Sequence, residues 1–90
     1  MDSILDENRA VYYTYEKILS KRQFELLKAI AKEGKLTQPT SREFIQKHKL
    51  PTPSSVKTAL KAILEKEMAY EEFGVYNVYD VFFSRYLERL

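Results

Sequence analysis

The sequence predicts a mainly α-helical domain with one small β-hairpin, in the order of a winged helix-turn-helix. Two short amphipathic segments between Thr40 and Glu65 flank a turn that is bounded by prolines. Two short alternating segments then flank Gly74, as in a hairpin with a tight tip. A length of 90 residues, of which 44% are hydrophobic, is typical of a single folded domain.

Two helices are predicted before this region. The first covers residues 3–19, where Ile4, Val11, Tyr15 and Ile18 follow helical spacing. Ser20 interrupts it and forms a capping box with the glutamine three residues later, which predicts a second helix that ends at Gly34. We therefore interpret residues 1–19 as an N-terminal linker helix and residues 20–90 as the winged-helix domain.

The helix-turn-helix follows. Thr40 and Glu43 predict a capping box that opens a short third helix, whose buried residues are Phe44 and Ile45. Prolines at 51 and 53 end this helix because each disfavours helical geometry in the preceding residue. The fourth helix is expected to start at residue 53 or 54, capped by residue 52 or 54. Its apolar stripe comprises Val56, Ala59, Leu60, Ile63 and Leu64.

The remaining elements are a hairpin and a last helix. Residues 68–73 and 75–79 alternate as strands do, and residues 36–38 could add a third short strand. Asp80 is a candidate N-cap for a helix over residues 81–90. The predicted apolar positions of this helix are Phe82, Phe83, Tyr86, Leu87 and Leu90.

Charge is distributed unevenly along the chain. Residues 35–61 carry six basic side chains and one acidic side chain, whereas the whole chain has a net charge of only +2. Residues 62–90 carry six acids and three bases, and residues 1–34 are neutral. The basic segment therefore predicts either a nucleic-acid footprint or a docking surface for a protein.

Sequence features of catalysis are absent. The only two glycines, Gly34 and Gly74, exclude the glycine-rich loops that bind nucleotide phosphates. The single histidine, His48, has no cysteine partners and is interpreted as a solvated residue at a helix end. We expect no enzyme activity, no metal and no cofactor in this chain. Because no apolar run approaches ~18 residues and no signal peptide is evident, we expect a cytoplasmic protein that does not bind membranes.

The candidate ligand face belongs to the fourth helix. In a helix-turn-helix the second helix presents its first turns to the DNA major groove. The candidate contacts to DNA or a partner are Arg42, Ser54, Ser55, Lys57, Thr58 and Lys61. The helix face lacks the Arg, Asn and Gln side chains that make bidentate contacts to bases, so it is poorly equipped to read sequence. The simpler alternative is a solvated face of an amphipathic helix.

The predicted wing favours protein contacts. Its candidate contact residues are Glu71, Glu72 and Phe73. Two carboxylates near a polyanion are repelled by it, and this penalty grows at low salt. An acidic wing beside a basic helix therefore indicates a dipolar docking surface for a protein.

Two aromatic residues of the first helix are candidates for a further interface. Tyr12 and Tyr13 lie on adjacent faces of a helix, so both cannot pack on the same surface. We expect them to contact either a second copy of the chain or a neighbouring domain.

Three motifs together resemble a known family. They are LSxxQ at residues 19–23, PSSVxxAL at residues 53–60 and YxVxDxFF at residues 76–83. From about Tyr12 onward the chain is similar to the C-terminal winged-helix domain of prokaryotic P-loop ATPases of the archaeal-ATPase type, relatives of the AAA and STAND groups. That family often has proline where this chain has Val81, which leaves the capping role of Asp80 intact.

The resemblance implies that this chain is an accessory domain of a longer protein. ATP and Mg²⁺ would then be bound by an upstream domain, and no catalytic residue carries over to this chain. The leading hypothesis is a regulatory domain that contacts the upstream ATPase domain or a protein partner. The alternatives are a regulator that binds duplex DNA and a module that forms homodimers through the first helix.

Overall fold

The computed structural model describes residues 9–90, which form five helices and one hairpin. This order confirms the predicted winged helix-turn-helix. The predicted start of the first helix, at Ser3, lies outside the described residues. The elements are α1 (Arg9–Ile18), α2 (Lys21–Glu33), α3 (Arg42–Lys47), α4 (Pro53–Glu65), β1 (Ala69–Glu72), β2 (Val75–Val78) and α5 (Val81–Glu88).

Three helices begin at capping residues that the sequence predicts. The hydroxyl of Ser20 accepts a hydrogen bond from the Gln23 amide, and the Gln23 side chain accepts one from the Ser20 amide, both at 3.2 Å. Thr52 caps α4 by accepting from the Ser55 amide at 3.1 Å. Asp80 caps α5 by accepting from the amides of Phe82 and Phe83. These bonds satisfy amides that have no partner inside their helices.

The start of α3 differs from the prediction. Ser41, and not Thr40, is the N-cap, and its hydroxyl accepts from the Phe44 amide at 3.2 Å. Since the helix begins one residue later than predicted, Phe44 occupies the position where a capping box needs Glu or Gln. Glu43 therefore lies in the first turn of α3 as an exposed acid and does not close a box.

The wing is a two-stranded antiparallel hairpin. Glu72 pairs with Val75, which leaves Phe73 and Gly74 as a two-residue loop with φ values of 53° and 80°. Positive φ at both loop residues is the signature of a type I′ turn, whose twist matches that of the strands. The predicted short strand at residues 36–38 is reduced to one bridge, in which Leu36 accepts from the Tyr76 amide at 2.8 Å.

The core forms where α2 packs on both α4 and α5. Its fully enclosed side chains include Leu27, Ile63 and Phe83. Helix α5 buries a narrow stripe of Phe83 and Leu87, one helical turn apart, whereas Phe82 and Leu90, two of its predicted apolar positions, are exposed.

An aromatic cluster attaches α1 to α5. The ring of Tyr12 lies 5.3 Å from Phe83 and 5.0 Å from Tyr86, and the ring of Tyr15 lies 5.0 Å from Phe83 in an edge-to-face arrangement. Rings at these distances add to the stability that burial itself provides. The packed part of α1 is thus continuous with the core of the winged helix.

Candidate functional site

The outer face of α4 is exposed, as the sequence predicts. Its candidate residues Ser54, Ser55, Lys57, Thr58 and Lys61 all lie in solvent, and so does Arg42 at the start of α3. Among the described residues, no carboxylate lies within ion-pair distance of Arg42 or of the two lysines. The charge of this face is therefore available to an external anion.

Two hydroxyl groups on this face, those of Ser55 and Thr58, are already engaged. Thr58 donates to the backbone carbonyl of Ser54 at 3.1 Å, and Thr52 donates to the hydroxyl of Ser55 at 3.1 Å. Hydroxyls used inside the helix are less available for reading bases. The face is consequently better suited to contacting phosphates or carboxylates through its lysines.

Sequence reasoning missed one basic residue beside this face. Arg22 of α2 lines a shallow cavity of about 320 Å³ together with Ser54, Ser55 and Thr58. Its proximity arises from the packing of α2 against α4 and has no signal in local sequence, because more than 30 residues separate it from α4. Arg22 thus places a guanidinium group beside the start of α4, a helix that contains no arginine of its own.

The wing tip presents an aromatic ring and an acid. Phe73 is 96% exposed, and Glu72 beside it is also exposed. Glu71 has a structural role, since its carboxylate accepts from the Gly74 amide at 2.6 Å across the turn. Of the three predicted wing contacts, Phe73 and Glu72 are therefore the freer to meet a partner.

The two candidate interface tyrosines lie in different environments. Tyr13 is 58% exposed, and the ammonium nitrogen of Lys17 lies 4.9 Å from the centre of its ring. Tyr12 is only 2% exposed because it packs on the aromatic rings of α5. The expectation that Tyr12 contacts something outside the domain is therefore corrected, and Tyr13 alone of the pair is accessible.

His48 is largely buried, with 13% of its side chain exposed, contrary to the prediction of a solvated side chain. Its Nε2 atom lies 2.8 Å from a carboxylate oxygen of Glu33, and its ring packs on Phe44. Lys47 approaches the same oxygen at 3.0 Å but is largely exposed. The hydrogen bond from His48, and then that from Lys47, lower the pKa of Glu33. These contacts join the end of α2 to the end of α3.

Acidification is expected to weaken this junction. Because the pKa of Glu33 is lower in the folded state, its contribution is present above the ordinary glutamate pKa and is lost as the pH falls through the folded value. We expect Glu33→Gln to lower the free energy of unfolding by about 1 kcal/mol at neutral pH and by less at pH ~3. Urea unfolding across this pH range measures the difference.

The matched control for this prediction is Glu43→Gln. Glu43 is an exposed carboxylate on the neighbouring helix, with no ion pair to any described residue. Its replacement should leave the pH dependence of stability unchanged. Equal pH profiles for the parent chain and Glu33→Gln would contradict the role assigned to the Glu33–His48 contact.

Two further properties concern the described part of the chain. Residues 9–90 contain no group of three or more histidine, aspartate or glutamate side chains placed to hold a metal ion. No helix in the same range is both long and apolar enough to cross a membrane.

The fold and these surfaces define a winged-helix domain with an exposed basic helix and an acidic wing. A family model described as a probable winged helix domain matches residues 10–89. The chain belongs to this family. Comparisons with curated proteins and with solved structures gave no match.

Proposed function

We propose that this winged helix is a non-catalytic, cytoplasmic docking domain that regulates a P-loop ATPase through contacts with its nucleotide-binding domain or with a protein partner. ATP and Mg²⁺ would be bound by the ATPase domain. The three motifs shared with archaeal-type ATPases support this parent. The observation that carries the docking function is the exposed Phe73 at the tip of an acidic wing.

The backbone of Phe73 supports a role in recognition. Its φ of 53° lies in the left-handed region, which costs a non-glycine residue roughly 1–2 kcal/mol. The first position of a type I′ turn normally holds Asn or Asp because these residues tolerate that geometry. Since its ring is almost fully exposed, Phe73 gains little packing inside the domain to offset the cost. Contact of the Phe73 ring with a partner protein would explain why this residue is present despite the backbone cost.

The electrostatics of the wing select the kind of partner. Glu72 is exposed beside Phe73, and the segment from residue 62 to the end of the chain has three more acids than bases. Nucleic acid is repelled by such a surface, whereas a protein surface with an apolar pocket and a basic rim is complementary to it. Aromatic side chains that enter such pockets are among the strongest contributors to protein binding.

Phe73→Asn is expected to stabilise the domain and to abolish its binding to the partner. Asn at this turn position relieves the left-handed strain, so the melting temperature should rise by a few degrees, equivalent to about 1 kcal/mol. The tagged parent chain should retain a P-loop ATPase or another partner protein from a lysate of the source organism, and Phe73→Asn should not. Mass spectrometry of the retained proteins and thermal unfolding are the two measurements.

The control for the capture experiment is the double variant Lys57→Glu plus Lys61→Glu. Both lysines are exposed and lie on a different element from the wing. This variant should retain the same proteins as the parent chain if the wing is the docking surface. Capture that is unchanged by Phe73→Asn, or a parent chain that retains neither a P-loop ATPase nor any other protein, would contradict the proposal.

Binding of duplex DNA is the second candidate function. It is favoured by the exposed Lys57 and Lys61, which lack ion-pair partners among the described residues, and by Arg22 beside the start of α4. These cations can contact phosphates in the manner of a helix-turn-helix. The acidic wing opposes this function, because in a winged helix it would approach the same duplex.

A further inference from the structure

A second surface, away from the wing tip, has the properties of an interface. A cavity of about 470 Å³ lies between α1, the start of β1 and the start of α5. Tyr15, Met68 and Phe83 line it, and Tyr79, Val81 and Phe82 line it as well. Tyr79, Val81 and Phe82 are exposed large hydrophobic residues. Val81 and Phe82 lie in the first turn of α5, whose opposite face is buried. Such a volume accommodates at least one large apolar side chain.

The cavity is acidic as well as apolar. Among the residues that the structure describes, its charged lining residues are Glu67 and Asp80, and none of its lining residues is basic. Glu67 follows α4 with a φ of 58°, and the Met68 amide donates to the carbonyl of Ile63 at 3.0 Å, which is the pattern of a helix end that normally carries glycine. An acid therefore lies at this cavity despite a backbone cost. The complementary ligand is an apolar side chain with cations beside it.

The neighbouring end of α1 carries that chemistry. Ile18 is 56% exposed and lies one helical turn after Tyr15, which lines the cavity. The carbonyl of Ile18 accepts from the ammonium group of Lys66, the residue before Glu67, so this end of α1 adjoins the cavity. Lys21 begins α2 three residues after Ile18 and is exposed, whereas Lys17 lies over the ring of Tyr13 on the other flank of α1. An apolar side chain with a cation near it in the sequence thus lies beside an acidic apolar cavity.

We propose that a second copy of this chain docks here, with each copy placing Ile18 in the cavity of the other. Two adjoining complementary surfaces on one molecule satisfy the geometry of a two-fold dimer, in which the same patch serves both partners. Lys21 of one copy then approaches Glu67 of the other. This dimer is independent of the proposed docking through Phe73, which lies at the far end of the hairpin.

Sedimentation equilibrium of the full 90-residue chain tests the dimer. Between about 10 µM and about 1 mM the apparent mass should rise from the 10.7 kDa of the monomer toward twice that value. Ile18→Glu places an acid against the partner's acidic cavity and should raise the dissociation constant by at least ~10-fold. Circular dichroism shows that the variant is folded, as expected for an exposed position.

Tyr13→Glu is the matched control because Tyr13 is equally exposed on the opposite flank of α1. It should dimerise like the parent chain, and so should the wing variant Phe73→Asn. A parent chain that remains monomeric at about 1 mM overturns the proposal. So does a loss of dimer in Tyr13→Glu together with its retention in Ile18→Glu.

Disulfide cross-linking tests the arrangement directly. The chain contains no cysteine, so single introduced cysteines report one contact each. A mixture of Ile18→Cys and Val81→Cys copies should form a mixed disulfide under mild oxidation, because the proposed dimer brings these positions together. A mixture of Tyr13→Cys and Val81→Cys copies should not. Preferential cross-linking of the second mixture overturns the two-fold arrangement.

Discussion

Replacement of Phe83 by alanine is expected to lower the free energy of unfolding by about 3–5 kcal/mol. Phe83 is completely buried, and its ring contacts those of Tyr12, Tyr15 and Tyr86. Its loss removes apolar contacts and leaves a cavity that three large rings cannot fill without moving. Since the free energy of unfolding of small domains is about 5–15 kcal/mol, this single substitution removes a large part of the domain's stability.

The measurement is urea or thermal unfolding at low protein concentration, where the proposed dimer is dissociated. We expect the melting temperature of Phe83→Ala to fall by more than about 10 °C. Near-ultraviolet circular dichroism should also lose intensity, since three tyrosines surround the deleted ring. The loss should extend to α1, because Tyr12 and Tyr15 hold that helix against α5.

Phe82→Ala is the control for this prediction. Phe82 precedes Phe83 in α5 but is about half exposed, so its truncation should cost less than about 1 kcal/mol. The two variants differ by one residue and remove the same group. Equal destabilisation by both would mean that α5 buries a different face from the one described.

The elements that sequence predicted correctly are those fixed by local chemistry. Ser20 and Asp80 each cap the helix for which they were predicted, and Thr52, one of two candidates, caps α4. Such caps are local because a side-chain oxygen needs only the amides two or three residues ahead. Gly74 marks the hairpin because type I′ geometry requires positive φ within the loop. Such signals lie within four residues of one another and need no knowledge of the tertiary fold.

The errors have two physical origins. At α3 two adjacent hydroxyl residues, Thr40 and Ser41, could each cap the helix, and Ser41 is the one that does. At His48 the deciding partner, Glu33, lies 15 residues away and becomes a neighbour only when α2 and α3 meet. Local pattern alone could not settle either case.

The candidate surfaces were predictable only in part. The exposed face of α4 follows from helical periodicity, because its apolar stripe dictates which residues point outward. Which tyrosine of α1 faces outward could not be predicted, since the aromatic residues of α5 that cover Tyr12 lie about 70 residues further along the chain. The acidic cavity beside Ile18 likewise combines three elements that are remote in sequence.

Reversal of one wing charge is expected to create DNA affinity that the parent chain lacks. Glu72 is the suitable position, because Glu71 must be kept for its hydrogen bond to the Gly74 amide. We expect the parent chain to bind a labelled random duplex more weakly than about 100 µM at moderate salt. Glu72→Lys replaces a repulsive charge with a potential phosphate contact, so affinity at low salt should rise by at least ~10-fold.

Salt dependence shows whether the gain comes from the basic helix acting together with the wing. Each new phosphate contact steepens the plot of log affinity against log salt by about 0.9, so Glu72→Lys should increase this slope by about one unit. Adding Lys57→Glu and Lys61→Glu to the same chain should remove the binding, since the wing alone provides only one cation. Fluorescence anisotropy measures all three proteins.

If the parent chain instead binds at micromolar concentration, with a steep slope that depends on Lys57 and Lys61, the acidic wing does not prevent DNA binding. The second candidate function then replaces the docking function.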